Sequence, residues 1–415
     1  MIQKPKGTLD LYGLDGKTYE YVINYMSSFL NIYNYNYVKI PTFEASELYR
    51  RGVGESSDIV NKEMYDFTDK SDRNMTLRPE FTAGVVRMFL ENKLYSKEVN
   101  KFYYYGSAFR YERPQSGRYR EFTQFGVEAF GIKNPYFDAE IISIAYKMLT
   151  DLGLKDLTVR INSLGDNASR DNYREALRKY FEPKLNNLCE DCKNRFNTNV
   201  LRILDCKVDA ESEILKNAPK TIDYLTDESK EYFNNLKTAL NVLEVPFEED
   251  SSLVRGLDYY TDTVFEIVYK NSELGNASVV CGGGRYDNLV NELGKINTPA
   301  IGFSIGVERL VLLLNEIGVN PINNKIDIYV MNLGQDKYAY EVVDMLRNSG
   351  FITETDYLGK SMKAQFKLVD ELNPDYVVII GEDEAKGNYV TVKDNLTKEN
   401  KKVEFDELIE YFSMI

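Results

Sequence analysis

The sequence predicts an α+β core on an antiparallel sheet, broken by a helical insertion and followed by a small α/β domain. Three observations carry this reading. Short hydrophobic strands separated by short turns fill residues 35–130, a spacing that favours antiparallel pairing. From 166 to 246 the chain turns polar and helical, rich in Asn, Lys and Glu, and glycine-containing strand sequence resumes afterwards, the pattern of an insertion. From 326 to 415 strands and helices alternate, which indicates a separate α/β unit. The predicted division is a core of 1–165 and 247–320, an insertion of 166–246, and a C-terminal domain of 326–415.

In chain order, YNYVKIP (35–41), MYDFTD (64–69) and NMTLRPE (74–80) read as strands, and TAGVVRMFLENKLY is apolar at helical spacing. Residues 101–112 and 118–130 read as a strand pair, with the Pro and Gly of Arg113–Gly117 supplying the hairpin loop. RDNYREALRKYF and ESKEYFNNLKTALNVL are the helical patterns of the insertion. LVRGLDYYTDTVFEIV, ASVVCGGGRYDNLV and AIGFSIGVERLVLLL return to strands, and NEIGVNPINNK reads as a linker. IDIYVMNL, FITETDY, YVVIIG and YVTVKD then alternate with the helical KYAYEVVDMLRNSG, KSMKAQFKLVDEL and FDELIEYF.

Composition narrows the function. At 43% hydrophobic and 28% charged, the chain reads as a globular protein with an ample core. No apolar run approaches a membrane span and the N-terminus lacks a signal-like stretch, so the cytoplasm is the expected compartment. Histidine is absent, which excludes His-based triads and any imidazole general base. Cys189 and Cys192 would open a zinc site with Cys206 as third ligand, but a structural site wants four ligands and only the distant Cys281 remains. The expectation is therefore no metal centre, with the cysteines as buried or incidental thiols.

The hairpin raises the sharper question. Side chains alternate along a strand, so Arg118, Arg120, Phe122, Gln124, Gly126 and Glu128 share one face, and Gly106, Ala108, Arg110 and Glu112 share one on the preceding strand. Neither is a core face. Gly126 leaves a floor on which a small ligand could lie, and Phe122 can stack on a flat ring. Arg255 in LVRGLDYYT and Arg309 in GFSIGVERL add cations, and the glycines of CGGGRYD and GFSIG let backbone and helix N-termini approach a polyphosphate. Neither glycine stretch matches the P-loop or the dinucleotide fingerprint. One arginine near a strand or helix end is ordinarily a solvated ion pair.

These residues resemble a known family. FRYE, the loop 113–117 and GRYREFTQFGVEAFG are similar to motif 2 of class II aminoacyl-tRNA synthetases; AIGFSIGVERL resembles motif 3, and YVKIPTFE with Pro41 resembles motif 1. LVRGLDYYT and GGGRYDNLV are similar to the two signature peptides of the histidyl-tRNA synthetase family, and TLRPEFTAGVVR to its amino-acid-binding segment. The resemblance spans essentially the whole chain. It implies a class II synthetase-like core, an anticodon-binding C-terminal domain, a homodimer, and ATP with Mg2+, L-histidine and tRNA(His) as ligands.

Carried over residue by residue, the resemblance makes Arg255 and Arg110 catalytic. Arg110, Glu112, Arg118, Phe122 and Arg309 would bind ATP, and Glu80, Thr82, Gln124, Glu128, Arg255, Tyr260 and Tyr286 would bind histidine. Arg113 and Gln115 would meet the tRNA acceptor end, and Lys360, Lys363 and Lys367 on one helical face would meet anticodon-stem phosphates. Phe81, Thr123 and Asp262 depart from the family pattern; Phe81 restricts the substrate if it points into the pocket and only packs if it points away. Arg255 and Tyr260 cannot share a face of one regular strand, so a bend is expected between them. The alternative is a non-catalytic paralogue regulating ATP phosphoribosyltransferase in histidine synthesis, which generally lacks the anticodon domain. A third reading is a module that binds uncharged tRNA.

Overall fold

The computed structural model describes residues 2–54, 57, 59–204, 206, 208–254, 257, 259–270, 279–319 and 325–414. The chain divides into two compact units, residues 1–321 and 322–415.

In the first unit the strands, in chain order, are β1 (Asn36–Tyr37), β2 (Phe43–Ala45), β3 (Tyr65–Thr68), β4 (Asn74–Leu77), β5 (Asn100–Phe109), β6 (Glu121–Phe130), β7 (Leu157–Ser163), β8 (Phe247–Glu249), β9 (Thr261–Tyr269), β10 (Val279–Arg285) and β11 (Ala300–Gly306). Among the described residues, eight form a sheet in the order β1-β5-β6-β11-β10-β9-β7-β8, and β2-β4-β3 form a small separate one. The ladder from β5 to β7 is antiparallel throughout, with β1 and β8 added in parallel at the two edges.

The alternation along β6 divides the sheet's two faces. Phe125, Val127 and Ala129 point into the main core, which includes residues of the helices Gly13–Ile32, Pro135–Asp151, Asp227–Val242 and Val307–Glu316. Gln124, Gly126 and Glu128 point the other way, towards a second core that includes the helices Thr82–Glu91 and Asp287–Gly294. Between β7 and β8 the chain is helical, and its helices close around their own small core of Tyr173, Leu177, Phe181, Leu188, Cys192, Val200, Ile203 and Cys206.

Local differences from the sequence reading have local causes. The expected strand 35–41 shrinks to Asn36–Tyr37, and the hairpin strands end at Phe109 and begin at Glu121. Arg118 and Arg120 are therefore loop residues. Arg120 lies over the Tyr111 ring at 3.8 Å and donates to the Glu112 carbonyl, so those two arginines do not share the face of Glu128.

The second unit is a five-stranded sheet in the order β13-β12-β14-β15-β16, from β12 (Ile328–Asn332), β13 (Thr353–Thr355), β14 (Tyr376–Ile380), β15 (Tyr389–Asp394) and β16 (Asn400–Glu404). Its parallel strands are linked by the helices Asp336–Asn348 and Met362–Leu372. Lys363 and Lys367 are exposed on the second of these, whereas Lys360 precedes its N-cap Ser361 and does not belong to the helical face. No helix among the described residues is long and apolar enough to cross a membrane.

Candidate active site

A cavity of about 390 Å³ opens on the sheet face that carries Gln124 and Glu128. Its lining brings together Glu80, Thr82, Arg110, Glu112, Arg118, Phe122, Gln124, Glu128, Tyr260, Tyr286 and Arg309. Arg255 lies outside the described residues. Arg113 and Gln115 are exposed on the hairpin loop, away from the cavity wall.

One end of the cavity is organised by Glu128. Its carboxylate is buried and accepts hydrogen bonds from Thr82 Oγ1 at 2.8 Å, from the Tyr104 hydroxyl at 3.1 Å, and from the Tyr286 hydroxyl. Burial pushes its pKa up to about 8 despite those donors, with the nearby Glu80 adding to the rise. Gly302, opposite Glu128 on β11, gives it room, because a Cβ there would lie 2.0 Å from Glu128 Oε2. Glu80 accepts from the backbone N–H groups of Thr82 and Ala83 at 2.5 and 3.0 Å, so it also fixes the start of the helix Thr82–Glu91.

Tyr104 is a residue the sequence reading missed. It stands opposite Gly126, where a Cβ would come within 2.5 Å of its hydroxyl oxygen. The space over Gly126 is therefore filled by this tyrosine and is no open floor for a ligand. The signal was available: Tyr104 shares parity with Gly106 and Ala108, hidden in a run of three tyrosines. Phe81 stacks on the Tyr104 ring at 4.4 Å with the planes 2° apart, is 1% exposed and does not line the cavity, so it packs behind the site and does not narrow it.

Tyr286 is held by its neighbour. Arg285 makes a fully buried ion pair with Asp138 at 2.6 Å, and Asp138 also accepts from Thr263 and Tyr232. Tyr260 lies just ahead of β9; of the stretch from Arg255 where a bend is expected, 255, 256 and 258 lie outside the described residues, and Leu257 and Tyr259 stand in a bend and a turn. Asp262 follows with φ of +40° and pairs with Lys133 at 3.2 Å.

The other end is cationic. Arg110 packs over the Phe122 ring at 5.3 Å and donates to the Pro79 carbonyl, and Arg118 pairs with Glu112. Arg309 donates to the carbonyls of Val279 and Gly117, while its buried Nε has no hydrogen-bond partner among the described residues. Burial, and then the charges of Arg118 and Arg110, lower its pKa. Guanidinium groups pressed together against their own repulsion suit a polyanion. Glu308, also missed, accepts the Thr123 N–H on both oxygens at 2.8 Å and joins β6 to the helix that carries Arg309. Between the two ends, the buried Gln124 keeps its Oε1 without a partner among the described residues.

Comparison with known proteins gives the family. Residues 7–310 match the histidyl-tRNA synthetase family, and residues 317–414 match the anticodon binding domain. The chain is 45% identical to the histidine–tRNA ligase of Staphylococcus haemolyticus over 99% of both chains. It is 44% identical to that of Staphylococcus aureus over 99% of this chain and 100% of the relative. Its structure matches apo S. aureus histidyl-tRNA synthetase with a TM-score of 0.85 and 39% identity, covering 99% of this chain and 100% of that one.

Proposed function

Because the chain belongs to the histidyl-tRNA synthetase family, we propose that the cavity is where histidine and ATP meet and that its two ends divide the recognition between them. The reaction is ATP-dependent charging of tRNA with histidine. The observation that carries the site assignment is one cavity with a buried, hydroxyl-held carboxylate at one end and converging guanidinium groups at the other.

Glu128 and Tyr260 read the two ring nitrogens of histidine, with Tyr286 on the pocket wall. Gln124, Glu80 and Thr82 receive the α-amino group, an assignment supported by the unpartnered Gln124 Oε1. Arg110 and Arg309 hold the α- and γ-phosphates, Arg118 adds a phosphate contact, and Phe122 stacks on adenine with Glu112 near its amino group. Arg255, assigned from its signature peptide alone, neutralises the substrate carboxylate and the α-phosphate.

The chemistry needs no imidazole. The histidine carboxylate is already ionised; its oxygen attacks the α-phosphorus, the bond to the β-phosphate bridge breaks, and pyrophosphate leaves. What the protein supplies is alignment and charge neutralisation. The arginine end fits a nucleotide triphosphate because its guanidinium groups outnumber its carboxylates and Arg309 Nε lacks a partner among the described residues. Mg2+ would be carried mainly on the phosphates, with Glu112 and Glu308 the protein carboxylates on that side, and it would supply further charge neutralisation. A ribose hydroxyl at the tRNA end then attacks the aminoacyl carbonyl, giving up its proton as the bond to the phosphate breaks and AMP leaves. Arg113 and Gln115 are exposed where an acceptor end can reach them, the second unit meets the anticodon, and the active form is a homodimer in the cytoplasm.

The regulatory alternative is less supported, since the anticodon-binding domain is present and the identity to histidine–tRNA ligases runs the full length. ATP–pyrophosphate exchange against all twenty amino acids tests the proposal. Exchange with histidine alone is expected; exchange with a different amino acid, or with none, overturns it.

A further inference from the structure

In the helical region between β7 and β8 the chain carries Cys189-Glu-Asp-Cys192 and, further on, Cys206-Lys-Val-Asp209. Folding brings one ligand atom from each of Cys189, Cys192, Cys206 and Asp209 to within 4.8 Å of one another. Asp209 is the fourth ligand that a count of cysteines and histidines misses. Cys281 takes no part: it sits on β10 and lines the catalytic cavity.

We propose that Cys189, Cys192, Cys206 and Asp209 bind one Zn2+ ion in a tetrahedral S3O site that braces this helical region. The spacing supports it. Zn–S bonds of about 2.3 Å and Zn–O bonds of about 2.0 Å at tetrahedral angles put sulfurs about 3.8 Å apart and a sulfur and an oxygen about 3.5 Å apart. The Cys189 and Cys206 sulfurs are 3.6 Å apart, and Cys206 Sγ lies 3.6 Å from Asp209 Oδ2.

The surroundings suit an anionic ligand set. Cys189 is the N-cap of the helix Glu190–Thr198 and Cys192 lies in its first turn, so both stand at the positive end of the helix dipole. The Asp209 N–H points to Cys206 Sγ at 3.4 Å and the Cys189 N–H to Asp209 Oδ2 at 3.0 Å, so backbone donors from each half of the motif orient the ligands of the other or their own. Soft thiolates select zinc over the hard cations. Binding converts the coordinating thiols to thiolates and releases their protons to solvent, with no change of oxidation state. Cys192 and Cys206 also belong to the small core of this region, so the ion would add a link between the start of one helix and the segment that carries Cys206 and Asp209.

The test uses the full chain, expressed with zinc in the medium and purified without chelator. Elemental analysis is expected to find about one zinc per chain in the wild type and in Cys281→Ser, and almost none in Cys192→Ser. Because loss of zinc in Cys192→Ser does not by itself separate lost coordination from misfolding, Co2+ is also titrated into chelator-stripped wild type. Intense d–d bands of tetrahedral cobalt with sulfur-to-cobalt charge transfer are expected, altered in Asp209→Ala. Wild type without stoichiometric zinc and without those bands overturns the site. So does a Cys189–Cys206 disulfide found by mass spectrometry in freshly purified, unreduced protein. An unchanged cobalt spectrum in Asp209→Ala overturns the assignment of the fourth ligand.

Discussion

The two ends of the catalytic cavity are built on opposite terms. At the Glu128 end the protein bonds to itself: three hydroxyls converge on one buried carboxylate, and Glu80 takes two backbone N–H groups. At the arginine end the groups repel one another, and Arg309 Nε has no partner among the described residues. The first end is a finished mould, suited to choosing among ligands of similar size. The second holds unspent charge, which suits a ligand whose own charge is large and whose shape need not be read closely. Selectivity and rate should therefore separate by mutation.

The largest effect is expected at the mould. A site that hydrogen-bonds a polar group discriminates against its loss by roughly 10⁴-fold or more, so Glu128→Ala should abolish histidine-dependent exchange while ATP affinity, read by calorimetry, changes little. Equal loss of both ligands would merge the two ends into one structural unit. Next comes Arg309→Ala, for which loss of one preorganised charge donor predicts about 10²- to 10³-fold slower exchange with histidine binding retained. Arg255→Ala is expected in the same range. A smaller step sharpens the picture: Tyr104→Phe keeps the Phe81 stack but removes one donor to Glu128, which predicts roughly 10-fold weaker histidine binding by calorimetry.

The last expected effect is on stability instead of on ligands and follows from pH. With its folded pKa raised to about 8, Glu128 stays protonated in the native protein where the unfolded chain has already ionised it. Its contribution is thus fully present below the ordinary carboxyl range and is lost as pH rises towards about 8. Relative to Glu128→Gln, ligand-free wild type should lose about 1.4 kcal/mol per pH unit across that window, read by urea unfolding. A flat difference would mean that the carboxylate is ionised at neutral pH.

Much of this was legible in the sequence because it rests on period and punctuation. The parity of Gln124, Gly126 and Glu128 marked a face distinct from the main core, although that face turns out to be buried against a second, smaller core, and the glycines of β10 and β11 marked close approach. What stayed hidden depended on neighbours distant in sequence. Tyr104 acts through its register with Gly126, Glu308 through a bond to Thr123, and Arg285 at the end of β10 through Asp138 on the helix Pro135–Asp151. Asp209 escaped for a different reason: carboxylates are so common on surfaces that nothing in the sequence singles one out as a ligand. Lys360 was misplaced because the helix starts only at Met362: Ser361 before it is still extended, and the Lys360 N–H is held by the Asp356 carboxylate.

The packing of Tyr104 over Gly126 also makes the enzyme a convenient starting point for expanding the genetic code. The tyrosine ring is the plug in a hole that the glycine leaves in the sheet, next to the Glu128 carboxylate. Shortening it, as in Tyr104→Ala, would leave a recess beside Glu128 shaped for a substituent on the imidazole ring, while the nucleotide end stays untouched. An amino acid carrying a bump matched to that hole would fit the shortened variant and be excluded by the unaltered ring of Tyr104.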